Sequence, residues 1–322
     1  MSDDFKKYPL GVVPSPKDTR DYKVSYFYEA LNNFPEEYII PNDVKKVYDQ
    51  GAVGSCVAFS LKYIKECQEF KERSEVLEFS PGFIYLNRHK RPDGSGYEHE
   101  GQNEGMLPKD ALKSLQLDGV CEYKYFPYNV PYSEASKYPI PQEAFANAIP
   151  QKIKYYYAVS TVNEIKTALM NSGAVLYCIP VYESFYNVNK DGIVPMPYGQ
   201  LYGYHAMVII GWRKDNKWIV KNSWGENWGD HGLCYIDFNH PMLEAWGITD
   251  DNIRENKIEI WINKKDVAIN GILISNKLDQ PPIIDSKTNR TLVPIRFIAE
   301  TLGCTVEYED KTRKITIRQC VK

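Results

Sequence analysis

Three residues of this chain stand in an order that suits covalent catalysis. Cys56 is followed 149 residues later by His205, and then by Asn222. Cys56 ends the small-residue loop Gly51-Ala52-Val53-Gly54-Ser55 and opens a predicted helix, whose dipole favours a negatively charged sulfur. An ordinary thiol, with a pKa of ~8.5, is only a few per cent thiolate at neutral pH. Pairing with an imidazolium brings a thiol to ~3–4, a shift worth ~6–7 kcal/mol, of which a helix end supplies at most ~2. A histidine partner is therefore required. His89 lies in the cationic run Arg88-His89-Lys90-Arg91, His99 lies between Glu98 and Glu100, and His240 precedes Pro241. His205 instead opens the apolar run Ala206–Ile210, at a separation that suits a nucleophile followed by its base. Asn222, on the predicted partner strand, can accept from the imidazole and fix its tautomer. Gln50, six residues before Cys56, can aim its amide at an oxyanion beside the Cys56 N–H. His231 and Cys234 are spaced like half of a metal site, but no second half is apparent, so neither a metal nor a cofactor is expected.

The elements around these residues follow from periodicity and caps. Val57, Ala58, Leu61, Ile64 and Cys67 form a helical stripe, with Lys62, Lys65, Glu66 and Glu69 on the other side. Ser80-Pro81 starts a second helix, Pro108 begins a third that stops at Gly119, and Thr161-Val162-Asn163-Glu164 is a capping box for a fourth. Strand signals then take over at Ala174–Val181, His205–Trp212, Lys217–Trp224 and Leu233–Phe238, with Arg213–Asn216 as the turn of a hairpin. Helices first and strands later indicate an α+β fold. Beyond residue 256 the chain reads as a small β-rich unit: strands at Lys257–Ile262 and Val267–Ile274, a helix around Pro294–Leu302, then strands at Thr305–Tyr308 and Lys314–Arg318.

Composition narrows the function classes. The 322 residues suit two domains, and 43% hydrophobic with 25% charged residues is globular composition. The net charge of −3 argues against a nucleic-acid binder. Residues 257–322 carry +4 and the remainder −7, a shift that marks a boundary. No apolar run approaches the ~20 residues of a membrane span. The start, Met1-Ser2-Asp3-Asp4-Phe5-Lys6-Lys7, shows no signal peptide. Seven widely spaced cysteines without a Cys-x-x-Cys pair argue against a disulfide scaffold. The missing signal peptide favours the cytoplasm over export.

The segment Asp49-Gln50-Gly51-Ala52-Val53-Gly54-Ser55-Cys56-Val57-Ala58-Phe59-Ser60 resembles the nucleophile segment of the papain-like cysteine peptidases. Gly203–Val208 is similar to their histidine segment, and Val220-Lys221-Asn222-Ser223-Trp224-Gly225-Glu226-Asn227-Trp228-Gly229 to their asparagine segment. The resemblance covers roughly residues 34–250. It implies the papain-like fold, with a helical left half and a β-rich right half. It also implies Cys56 as nucleophile, His205 as acid/base, Asn222 as orienter and Gln50 as oxyanion donor. Gly105, Tyr204 and Trp224 would contact the substrate, with Trp224 also shielding the His205–Asn222 bond. The implied activity is hydrolysis of peptide bonds through a Cys56 thioester. Val53 stands where the family usually has Cys, and no cysteine lies in Gly101–Gly105, so both halves of a family disulfide are absent. The alternatives are a catalytically silent papain-fold binding protein and a cell-wall peptide amidase; the presence of Gln50, Cys56, His205 and Asn222 together weighs against the first, and Asn222 in the place of a second histidine against the second.

Val13-Pro14-Ser15-Pro16-Lys17-Asp18-Thr19-Arg20-Asp21-Tyr22 resembles the arm of bacterial members, and residues 1–33 are expected to pack on the peptidase and cover part of its cleft. The peptidase domain is expected at 34–255. Pro281–Asp285 and Arg290–Glu300 make residues 256–322 similar to the small copper amine oxidase N-terminal domain. Residues 257–322 contain no histidine, so copper is not expected there. A spacer role, or contact with a partner protein or a cell surface, is the expectation for this domain.

Overall fold

The computed structural model describes residues 8–18, 21–31, 33–87, 105–251, 258–269, 272–274, 277–301 and 304–319. The chain divides into two compact units: the first is made by Tyr22–Asp251 with the segment that ends at Lys17, and the second mainly by the residues after Asp251. The expected loop positions of His89 and His99 fall outside the described residues.

Helices of the first unit are α1 (Cys56–Arg73), α2 (Pro81–Leu86), α3 (Pro108–Leu117), α4 (Gln142–Ala148) and α5 (Val162–Asn171). The caps act as the sequence predicts. Ser80 Oγ accepts from the Phe83 N–H at 2.9 Å, and both capping-box bonds between Thr161 and Glu164 are made. Helix α1 departs from expectation, because its charged side is buried as well: Lys62, Lys65, Glu66 and Glu69 are all nearly inaccessible. Ion pairing makes this tolerable. Lys62 meets Glu66 at 3.0 Å and Lys65 meets Glu69 at 2.7 Å, while Glu66 also accepts from Tyr48 and the Phe79 N–H. A buried charge persists only when its partners replace the water it has lost.

Helix α1 packs on an antiparallel sheet. Its strands are β1 (Tyr38–Ile39), β2 (Tyr155–Ala158), β3 (Val175–Tyr182), β4 (Leu201–Arg213), β5 (Lys217–Lys221), β6 (Leu233–Asp237) and β7 (Glu244–Thr249). The order is β2-β7-β3-β4-β5-β6, with β1 also paired to β4. Val175–Ile179 of β3 and His205–Trp212 of β4 are buried without alternation, as befits central strands covered on both faces. Opposite β5 the register of β4 shifts between Ile209 and Gly211. β1 approaches there so closely that a Cβ on Gly211 would meet Tyr38 O at 2.0 Å. The predicted strand Lys217–Trp224 stops at Lys221, so Asn222 sits just past the strand end, where its side chain is free of the pleat.

In the second unit, β8 (Ile258–Ile260), β9 (Val267–Ile269) and β10 (Ile272–Ile274) form one sheet. The single strand expected at Val267–Ile274 is therefore a hairpin, with Ile272 opposite Ile269. Its apolar run matched strand composition, but period-2 patterning does not reveal a reversal. β11 (Ile283–Asp285) pairs with β12 (Arg290–Leu292), and β13 (Cys304–Glu309) pairs with β14 (Lys314–Gln319) after helix α6 (Ile295–Thr301). Among the described residues, no helix is long and apolar enough to cross a membrane.

Candidate active site

The nucleophile segment is held from both ends. Gly51 turns the loop at φ +59°, and the Gln50 N–H donates to Ser223 O at 2.8 Å, tying the loop to the segment after β5. Cys56 is the first residue of α1 and is completely buried. Backbone N–H groups of Ala206, Gly11, Val57 and Cys56 itself surround its sulfur and favour the thiolate. Ala206 follows His205 on β4, so the sulfur lies against the histidine segment.

His205 is fully buried, and its Nε2 lies 2.7 Å from Asn222 Oδ1. A carbonyl oxygen only accepts, so Nε2 carries the proton and Nδ1 keeps its lone pair. Nδ1 has no hydrogen-bond partner. Asn222 Oδ1 also accepts from the Ser223 N–H at 2.8 Å, which locks the amide orientation. The ring of Trp224 lies 4.8 Å from that of His205 and is 1% exposed, walling the His205–Asn222 bond from water. Phe185 and Trp228 brace Trp224 at 5.6 and 5.5 Å.

Gln50 is oriented by a residue that sequence reasoning did not single out. Ser223 Oγ donates to Gln50 Oε1 at 2.7 Å, so the Gln50 NH2 is turned the other way. That NH2 donates to Val53 O at 2.9 Å and to Pro9 O at 3.1 Å. The signal for Ser223 was present beside Asn222, but its partner lies 173 residues away in sequence.

Pro9 belongs to a segment that runs through the site. Tyr8 stacks on Trp224 with ring centroids 5.2 Å apart and donates to Asp49 Oδ2 at 3.0 Å. Gly11 lies against Gly54, and Leu10 against Gly203. The Val12 N–H donates to Tyr204 O at 3.3 Å, the Met106 N–H to Gly11 O at 2.8 Å, and the Val13 N–H to Met106 O at 3.0 Å. Tyr204 and Trp224 thus both touch this segment, and its backbone pairs with Tyr204 and with Met106, next to Gly105. Further along, Lys23 bridges Ala158 of β2, and Val24 and Phe27 are buried.

Burial of the site changes its electrostatics. The sequence favours a thiolate–imidazolium pair, yet burial pushes the Cys56 thiol up to about 11. Burial also lowers His205 to about 4, against the raising effect of the Asn222 bond. Cysteine and histidine are therefore both neutral in the covered site. Loss of water outweighs the helix dipole and the N–H donors, because desolvation penalises each charged form.

The family model of the papain family cysteine proteases matches residues 38–253, and that of the copper amine oxidase N-terminal domain matches residues 252–317. Among the described residues, no group of three or more His, Cys, Asp or Glu side chains could hold a metal ion. An uncharacterized peptidase C1-like protein of Acanthamoeba polyphaga mimivirus is 28% identical over 79% of this chain and 86% of its own length. A cysteine protease of Blomia tropicalis is 25% identical over 62% of this chain and 59% of its own. The crystal structure of xylellain, a cysteine protease from Xylella fastidiosa, superposes with a TM-score of 0.64 at 25% identity, covering 76% of this chain and 97% of that one. With a family match that spans most of its length, this chain belongs to the papain family of cysteine proteases.

Proposed function

We propose that Cys56, His205, Asn222 and Gln50 perform acyl transfer from a peptide bond, and that residues 8–13 hold the enzyme in a resting form. The observation that carries the first part is the 2.7 Å His205–Asn222 bond, which leaves Nδ1 as the free base. The thiol proton passes to Nδ1 and the sulfur attacks the carbonyl carbon. The oxygen takes up the negative charge, stabilised by the Gln50 NH2 and the Cys56 N–H. Collapse breaks the C–N bond as His205 returns the proton to the leaving amine. A water, deprotonated by His205, then hydrolyses the thioester and restores the thiol. Gly105, Tyr204 and Trp224 contact the substrate in this reading.

The resting form is supported by the Pro9 carbonyl on Gln50 and by Gly11 beside the Cys56 sulfur. Both positions must be vacant for a substrate carbonyl to enter. Residues 1–33 form the arm in this reading, 34–255 the peptidase domain, and 256–322 a module for a protein or cell-surface partner. Exposed Ile283, Ile284, Leu292 and Ile295 support a binding role for that module. The deciding experiment is alkylation with substoichiometric reagent at pH 5.5, mapped by peptide mass spectrometry, beside hydrolysis of a fluorogenic peptide pool. Labelling of Cys56 that is slow in the full chain and becomes selective once residues 1–13 are removed, with turnover lost in Cys56→Ala, is expected; full turnover in Cys56→Ala would overturn the reading.

A further inference from the structure

The loop from Gln50 to Cys56 supplies both proposed oxyanion donors, the Gln50 NH2 and the Cys56 N–H, so its geometry fixes the distance between them. The segment after β5 holds one side of it, through the Gln50 N–H on Ser223 O and Ser223 Oγ on Gln50 Oε1. A single side chain holds the other side. Asn129 Nδ2 donates to Gln50 O at 2.9 Å, and Asn129 Oδ1 accepts from Ser55 Oγ at 3.0 Å. One carboxamide thus spans both ends of the loop. Gln50 and Ser55 are both buried, so water does not replace these bonds at no cost.

Ser55 is unusual for its place. It is the N-cap of α1, where a serine ordinarily accepts an N–H from the first turn. Its hydroxyl makes no cap bond and donates to Asn129 instead. First-turn N–H groups stay available to the site: those of Cys56 and Val57 face the Cys56 sulfur. Asn129 is itself held from outside the loop. Ser80 Oγ, at the start of α2, donates to Phe126 O at 2.5 Å. Gly82 lets the chain at Tyr128 pass so closely that a Cβ there would stand 1.6 Å from Tyr128 O. The start of α2 therefore pins residues 126–129, and that strap presents Asn129 to the loop.

We infer that Asn129 is a positioning residue for the acyl transfer: by bridging Gln50 O and Ser55 Oγ it sets the spacing of the two oxyanion donors. The inference rests on the peptidase reading and adds to it a residue that acts through Gln50 and Cys56. Donors aimed at a developing oxyanion are effective only where their positions are fixed beforehand, and a displacement of about 1 Å can cost about 100-fold in rate. Thiolate formation depends on His205 and on the N–H groups around the sulfur, which the bridge does not supply. Loss of the bridge should therefore appear only in steps that place charge on a carbonyl oxygen.

Two rates measured on the full chain at one pH separate the effects. One is kcat/KM for a fluorogenic peptide. The other is alkylation of Cys56 by iodoacetamide, in which the sulfur attacks carbon, iodide leaves and no oxyanion forms. Opening of the arm scales both rates alike, so their ratio reports the oxyanion donors. Asn129→Ala should lower the ratio of hydrolysis to alkylation by about 10- to 100-fold and leave alkylation at the wild-type rate. Binding of a peptide aldehyde, which forms a tetrahedral adduct on Cys56, should weaken by a similar factor. Asn129→Asp keeps the shape and the acceptor for Ser55 but sets a carboxylate oxygen against Gln50 O, and it should show the same loss. Ser55→Ala breaks the other half of the bridge, and combined with Asn129→Ala it should cost no more than the single change. Thermal melting checks that each variant folds, and Ser55→Ala decides should Asn129→Ala not fold. A ratio equal to wild type, or alkylation and hydrolysis falling together, overturns this inference and leaves the peptidase reading standing. Absence of turnover in the wild type, with no labelling of Cys56 after removal of residues 1–13, fails the peptidase reading and this inference with it.

Discussion

Replacing Gly11 with alanine adds one methyl group and leaves every proposed catalytic side chain in place. In the covered site that methyl carbon would stand 1.9 Å from Gly54 O and 2.5 Å from Gly54 C. Gly54 is backbone in the loop that enters α1, so it cannot yield as a flexible side chain would. The arm must move instead. Overpacking by a methylene in a firm environment costs about 1–3 kcal/mol, and a backbone collision this short belongs at or above the top of that range. Alanine also reduces the freedom of the released arm, but that effect is under about 1 kcal/mol. The covered form is therefore weakened by about 3 kcal/mol, which raises the open population by about 100-fold until it predominates. Cys56 would regain water and a chargeable histidine, and its alkylation at pH 5.5 should speed up by a similar factor. Hydrolysis of a fluorogenic peptide should rise in parallel, chiefly in kcat/KM, because the arm competes with substrate. Alkylation and hydrolysis rates equal to wild type, in a variant that melts normally, would refute the idea that residues 8–13 keep the site closed.

Gln50→Ala should lower kcat by about 100- to 1,000-fold, as the loss of one oxyanion donor does, measured by single-turnover hydrolysis. Asn222→Ala should slow turnover without abolishing it and should shift its acid limb in a pH–rate profile, because the imidazole loses the acceptor that fixes its tautomer. Glu66→Ala should cost about 3–5 kcal/mol in urea unfolding, since Lys62 is left buried without its 3.0 Å partner. Stability should also respond to pH through His205. Its ordinary value of 6.5 falls to about 4 on folding, so below 6.5 the unfolded chain binds the extra proton. Stability is then lost as pH falls from 6.5 toward 4, by up to about 1.4 kcal/mol per unit. A His205→Gln variant should lack that part of the urea-midpoint slope.

Much of the site was legible because its parts carry local signatures. The loop of small residues before Cys56, the apolar run after His205, and the caps at Ser80 and Thr161 each act within a few residues, so sequence determines them. The order Cys56, His205, Asn222 is likewise read directly from the sequence. What tertiary structure decided was environment. Lys62 and Glu66 read as one side of an amphipathic helix, and only Tyr48 and the segment at Phe79, packed against α1, bury them as a pair. Cys56 and His205 read as an ion pair, and complete burial in the fold pushes the thiol up and the imidazole down, which favours the neutral form of each. Tyr8 on Trp224 and Ser223 on Gln50 join residues more than 170 positions apart. Propensity and periodicity act over one or two turns of chain, whereas desolvation depends on everything that packs around a group. Sequence therefore determined which chemistry this protein carries, and the fold decided whether that chemistry is exposed.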